Sequence, residues 1–172
     1  YRQWYVEFPL SPEVAKGFVE RNLLMQSIGA FLIEQGFLEV QTPTLQPVYG
    51  GANATPFTTH HKALDQTFFL RIANELYLKR LISGGFDAVF EFTKNFRNEG
   101  IDRTHNPEFS ALEFYQANVD YTMMMEHAEQ IFSRCAMALH GSMQFEYEGQ
   151  LLDVTPPWKK MSMYEALSLI HI

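Results

Sequence analysis

Cysteine is nearly absent from this 172-residue chain, where Cys135 stands alone. A single thiol excludes an internal disulfide and any zinc site built on several cysteines. Cys135 falls within a helical apolar pattern, which predicts an inert, buried thiol and not a nucleophile. Also missing is any apolar run of membrane-spanning length, and Tyr1-Arg2-Gln3-Trp4 has no secretory architecture. The expectation is a soluble, cytoplasmic protein with no membrane partner. Tyr1 stands where an initiator Met would, which predicts a segment cut from a longer protein. Basic residues are in deficit, 13 Lys and Arg against 20 Asp and Glu, for a net charge of -7. That balance argues against a broad nucleic-acid-binding face within this segment, since phosphate contacts need clustered cations. No P-loop, dinucleotide fingerprint or zinc spacing occurs. His60 and His61 are adjacent, and neighbouring side chains on a regular element diverge, so no metal ligands are expected in this segment.

What the chain has is apolar and aromatic bulk. At 47% hydrophobic, with fifteen Phe and eight Tyr, it can bury one large, shape-specific core. Ser11-Pro12-Glu13 reads as a helix start, a hydroxyl cap followed by proline in the first turn. Val14, Phe18, Met25, Ile28 and Leu32 continue it as one long amphipathic helix, ended by Gly36. Phe37 to Val40 reads as a strand stopped at Thr42-Pro43. Gln46 to Thr59, with Pro47, Gly50, Gly51 and Pro56, reads as loop. Thr67 to Ile72 is predicted as a strand. Asn74 is expected to cap a short helix from Glu75 to about Ser83, closed by Gly84-Gly85. Ala88 to Asn95 and Phe109 to Ala117 alternate as strands. The polar loop between them, Asn98 to Glu108, is long for a hairpin, and such loops are uncommon without a task. Thr122 to Leu139 is a second long helix, with Met124, Ala128, Ile131, Cys135 and Leu139 on one face. Gln144–Glu148 and Gln150–Val154 pair around Gly149, Pro156-Pro157 breaks the chain, and Ser162 with Glu165 signals a capping box. The class expected is α+β, a mostly antiparallel sheet flanked by the two long helices.

The chemistry concentrates between Phe96 and Tyr115. Period-two alternation places Phe109, Ala111, Glu113 and Tyr115 on one face, with Leu112 and Phe114 turned to a core. Arg97 sits where the first strand meets the loop and can present a planar fork to a phosphate or carboxylate. Taken alone, an ion pair with Glu99 or Glu113 would account for it. By themselves His105 and Asn106 are ordinary turn residues, Phe109 a core aromatic, Gly50-Gly51 a turn and Glu75 a first-turn acid suited to the helix dipole.

Together these residues resemble the class II aminoacyl-tRNA synthetases and, within that class, the lysyl-tRNA synthetases. Phe96-Arg97-Asn98-Glu99 with His105-Asn106-Pro107-Glu108-Phe109 is similar to motif 2 of the class. Gly36-Phe37-Leu38-Glu39-Val40-Gln41-Thr42-Pro43 is similar to motif 1, which in the family builds a homodimer interface. Gly50-Gly51-Ala52, Thr59-His60-His61, Leu70-Arg71-Ile72-Ala73, Glu75-Leu76-Tyr77-Leu78-Lys79 and Glu113-Phe114-Tyr115 resemble the lysine-specific members. The likeness runs from Tyr1-Arg2-Gln3 to Thr155-Pro156-Pro157.

The resemblance implies that residues 1–172 form the first part of a catalytic domain, without motif 3 and without the anticodon-binding barrel. It implies a lysine–tRNA ligase as parent, joining lysine to ATP as lysyl-adenylate and then to tRNA(Lys). Arg97 would grip the α-phosphate and the lysine carboxylate, with Asn98 and Glu99 completing the nucleotide contacts. His105 and Asn106 would reach the outer phosphates and ribose, and Phe109 would stack on adenine. Gly51 and Glu75 would hold the α-ammonium, Glu113 and Tyr115 the side-chain ammonium. Magnesium ligands are expected in the missing part. Asn74, where the family usually has Pro, is read as a changed helix cap, and Thr104 replaces an Arg before His105. The chain by itself is expected to be inactive, an inert module that binds ATP weakly or dimerises, because half of the implied ligand shell is absent. Within the enzyme class the rivals are aspartyl and asparaginyl synthetases, which should lack an acidic pocket suited to an ammonium, and a lysine ligase acting on a translation factor. Tyr1-Arg2-Gln3, similar to the linker after the barrel, favours the tRNA enzyme over the latter.

Overall fold

The computed structural model describes residues 4–170; the Tyr1-Arg2-Gln3 segment lies outside them. The chain divides into two compact units, one of residues up to 31 with those from 120 onward, the other of Leu32–Val119.

The second unit carries the hairpin. Strand β5 (Ala88–Phe96) pairs antiparallel with β6 (Glu108–Gln116) over their whole length, and β1 (Leu38–Glu39) adds to the other edge of β5 in parallel. A second small sheet orders β2 (Leu45–Gln46), β4 (Gln66–Leu70) and β3 (Thr58–His61), all antiparallel. Parts of β2 and β3 fall in the segment read from sequence as loop. Strands of two and four residues are too short to print a period, and both exist only as edges of β4. Helix α3 (Glu75–Ser83) follows, closed at Gly84 and Gly85 as expected.

The core of this unit is Leu32, Phe37, Ile72, Leu78, Val89 and Phe90, each nearly sealed from solvent. Phe114 meets Phe37 edge to face at 5.8 Å, on the face of β6 opposite Glu113, as the alternation requires. Asn74 corrects the sequence reading. It occupies the cap position of α3 but makes no side-chain cap bond. Its side chain is fully buried and its Nδ2 donates to Glu91 Oε2 at 2.9 Å. A buried carboxylate needs donors more than the exposed start of α3 needs an acceptor.

The first unit contains α1 (Trp4–Leu10), α2 (Pro12–Glu34, whose last residues enter the other unit), α4 (Tyr121–His140), the β7–β8 hairpin (Gln144–Tyr147 and Gln150–Asp153) and α5 (Met163–Ile170). No element was read at α1, where Pro9 hid the pattern; the helix ends one residue later, so little of it loses its bonds. Asp120 caps α4 through Thr122, and Gly141 ends it in left-handed geometry. The buried line of α4 includes His127, Ser133 and Ala136, so its inner face is broader and more polar than the apolar stripe suggested. Phe31 packs against His127 at 5.9 Å and beneath Arg134 at 5.0 Å. Ser133 and Trp158 both donate to the Val154 carbonyl. The predicted capping box forms in both directions, Ser162 N–H to Glu165 at 2.7 Å and Glu165 N–H to Ser162 Oγ at 3.2 Å. Burial raises the Cys135 thiol above its ordinary value. The α+β class and mostly antiparallel pairing hold, with the strands divided among three small sheets instead of one. No described helix is long and apolar enough to cross a membrane.

Candidate active site

Register sets the site. Directly opposed pairs on β5 and β6 share a face, so Glu91 with Glu113, Thr93 with Ala111, and Asn95 with Phe109 stand on the side that also holds Tyr115. Arg97 follows two residues after Asn95 and belongs to that face. From Phe109 to Glu113 is about 13 Å along the strand.

At the hairpin mouth, Arg97, Glu99, His105, Asn106 and Phe109 line one cavity of about 450 Å³. The Arg97 guanidinium lies over the Phe109 ring, 5.0 Å from its centroid. Its backbone N–H donates to Pro107, and its Nε is buried with no partner among the described residues. Neither ion pair that would account for Arg97 without a ligand, to Glu99 or to Glu113, occurs among the described residues. A buried, unsatisfied guanidinium N–H is a donor awaiting an acceptor. Glu99 accepts from Thr55 N–H at 3.2 Å, and Asn98 N–H donates to the Thr55 carbonyl, which fastens the loop to the neighbouring segment. The Asn98 side chain itself is exposed and does not line the cavity.

Asp102 was not read from the sequence as a site residue, though Asp three positions before His is a turn signature. Its carboxylate accepts from the N–H groups of Thr104 and His105, and meets His105 Nδ1 at 2.8 Å. Those bonds, Thr104 first and the imidazole next, hold the Asp102 carboxyl at about 2. With Nδ1 turned to Asp102, the other imidazole nitrogen is left for the cavity. Thr104 spends its own N–H and hydroxyl on the same carboxylate.

A second cluster lies farther along β6. Tyr115 donates to Glu113 Oε2 at 3.0 Å. Burial, then the charge of Glu113, its hydrogen bond and the charge of Glu75 push the phenol well above its usual value. Gly51 closes this cluster: at φ +85, a Cβ placed there would stand 3.0 Å from the Glu75 Cβ and 3.7 Å from its Oε2. Only glycine lets the loop backbone approach that carboxylate so closely. Gly51, Glu75 and the Glu113–Tyr115 pair, three segments far apart in sequence, thus converge.

Glu91 and Glu113 are partners across the ladder yet differ in state. Glu91 is almost fully buried and accepts from Arg71 Nη1 at 2.9 Å, Thr42 N at 3.1 Å, Thr42 Oγ1 at 2.7 Å and Asn74 Nδ2 at 2.9 Å. Its charge is spent internally. Glu113, half-buried and bonded to one phenol, keeps acceptor capacity for a ligand. Arg71 and Glu91 were missed because neither pattern nor spacing singles out a distant buried pair.

The family described as tRNA synthetases class II (D, K and N) matches residues 1–171. A lysine–tRNA ligase of Syntrophomonas wolfei subsp. wolfei is 52% identical over 167 residues, 97% of this chain and 34% of that protein. Proteins of the same name from Porphyromonas gingivalis (52% over 167 residues, 97% and 29% covered) and Roseiflexus castenholzii (50% over 168 residues, 98% and 34% covered) are similar to it as well. The chain spans about a third of the length of the curated relatives it matches.

Proposed function

The chain belongs to the class II tRNA synthetases of the D, K and N group, and from that premise we propose that it contributes the lysine- and ATP-binding hairpin of a lysine–tRNA ligase. The observation that carries the choice of amino acid is the meeting of Glu75 and Glu113 with Tyr115 beside Gly51. Of aspartate, lysine and asparagine, only lysine has a cationic side chain. An ammonium leaving water needs a carboxylate and further acceptors, whereas an aspartate side chain would meet the Glu113 charge unpaired.

Glu113 and Tyr115 take the ε-ammonium, Glu75 and the Gly51 backbone the α-ammonium. ATP lies toward the hairpin mouth. Arg97 bridges the lysine carboxylate and the α-phosphate with the N–H donors of its guanidinium, whose Nε has no partner among the described residues. A carboxylate oxygen attacks the α-phosphorus in line, and the bond to the bridging oxygen breaks as pyrophosphate leaves with its electron pair. Both reactants are anions, so the rate comes from placement and charge stabilisation, without a general base. His105, oriented by Asp102, reaches the outer phosphates, with Asn106 beside it. One face of Phe109 is covered by Arg97, so adenine stacks on its other face or shares it. Magnesium would accompany the triphosphate. Among the described residues no group of three or more His, Cys, Asp or Glu could hold it. tRNA(Lys) as acceptor and a homodimer through the Gly36–Pro43 segment complete the proposal.

The test is amino-acid-dependent ATP–pyrophosphate exchange in a hybrid ligase, in which this segment replaces its counterpart in the Syntrophomonas wolfei relative. Exchange with lysine and none with aspartate or asparagine is expected. Exchange driven by either of the others, or by none of the three, overturns the proposal.

A further inference from the structure

The acidic cluster already holds an ammonium of its own. Glu75 and Lys79 stand one turn apart on α3, where i and i+4 side chains meet. Lys79 Nζ lies 2.6 Å from Glu75 Oε1 and 5.7 Å from the centroid of the Tyr115 ring. The Lys79 head therefore stands on the acid at the start of α3 and near the ring of the tyrosine bonded to Glu113. The other Glu75 oxygen faces Gly51.

Surface pairs of this spacing commonly only solvate a helix face. This one differs in location, because its carboxylate is the one the proposed function gives to an incoming α-ammonium. The Lys79 side chain is 56% exposed and that of Glu75 31%. The lysine head can thus swing into water without a large desolvation change, while the carboxylate stays in the cluster.

We propose that Lys79 is an internal competitor for the amino-acid site, occupying the ammonium position on Glu75 until free lysine displaces it. This rests on the lysine reading above. It adds a specificity element: a ligand must bring its own α-ammonium to Glu75 to compensate for the pair it breaks. A ligand with only a side-chain ammonium can reach Glu113 and Tyr115 without disturbing Lys79.

Lys79→Met in the hybrid ligase keeps the stem and removes the charge. Breaking a half-exposed pair in advance should lower the KM for lysine about twofold to fivefold in pyrophosphate exchange, with kcat unchanged. Inhibition by 1,5-diaminopentane, which carries two ammonium groups, should strengthen equally. Inhibition by 6-aminohexanoate, which lacks the α-ammonium, should stay the same. Lys79→Arg, which keeps a cation at the site, should stay near the parent value. An unchanged or raised lysine KM in Lys79→Met, or equal shifts for all three ligands, overturns the competitor role and leaves the lysine reading intact. Absence of lysine-dependent exchange in parent and variant alike instead overturns the functional reading on which this rests.

Discussion

Exchanging each of two facing glutamates for glutamine separates what one carboxylate does for the fold from what the other does for a ligand. Glu91 and Glu113 are opposed across β5 and β6 and point to the same side of the sheet. In Glu91→Gln the Arg71 guanidinium loses its counter-charge at 2.9 Å while both side chains remain under a tenth exposed. Breaking such a pair by removing one partner costs about 3–5 kcal/mol, because the remaining charge stays buried and uncompensated. Asn74 cannot repair the loss: its Oδ1 could accept from the new amide, but only by turning its Nδ2 away from an acceptor. With a urea dependence of about 1–3 kcal/mol per M, the unfolding midpoint should fall by more than about 1 M. Glu113→Gln should behave in the opposite way. Tyr115 can still donate to the amide oxygen, and the like-charge opposition to Glu91 is relieved, so stability should hold or rise by up to about 1 kcal/mol. Lysine recognition should suffer, since truncating a partly buried charge partner costs about 2–4 kcal/mol, roughly 30- to 1000-fold in KM for exchange. The measurements are urea denaturation of the chain and lysine titration of the hybrid ligase. Equal loss of stability in both variants, or a Glu91→Gln midpoint within about 0.2 M of the parent, would refute this division of labour.

Three further outcomes are expected. Arg97→Ala should lower the exchange rate by about 100- to 1000-fold, on the scale of a lost oxyanion donor, with the urea midpoint little changed; a normal rate contradicts its role. Gly51→Ala should destabilise the chain by about 1–3 kcal/mol, because it forces an L side chain to a φ of +85 against Ala73 and Glu75, and a thermal melt identical to the parent would contradict that reading. The Tyr115 phenol, raised by burial and then by Glu113 and Glu75, should stay protonated where other tyrosines ionise. Folding then contributes stability below the unfolded value of about 10 that is lost as pH rises above it. Ring-carbon NMR shifts through an alkaline titration report it, and Glu113→Gln should bring the transition down.

The hairpin was legible because its information is local. A period of two assigns Phe109, Ala111, Glu113 and Tyr115 to one face whatever surrounds them, and Arg97 stands one residue past the end of β5, at the junction of strand and loop where its sequence position put it. The caps at Ser162–Glu165 and Gly36 are local in the same sense. Strands β2 and β3 were not legible, being too short to carry a pattern, and Asn74 misled because a cap residue and a buried amide look alike in sequence.

The residues alone therefore determined which carboxylates, aromatics and guanidinium could share a surface, since backbone geometry fixes alternation residue by residue. Only the fold decided which of those charges remain available. Glu91 is paired with the Arg71 guanidinium, 20 positions away, and hydrogen-bonded by Thr42, 49 positions away, whereas Glu113 is left with a single phenol and Glu75 is covered by Lys79. A charge becomes a site or a strut according to its neighbours in space, and electrostatic compensation acts over ångströms, with no regard for distance along the chain.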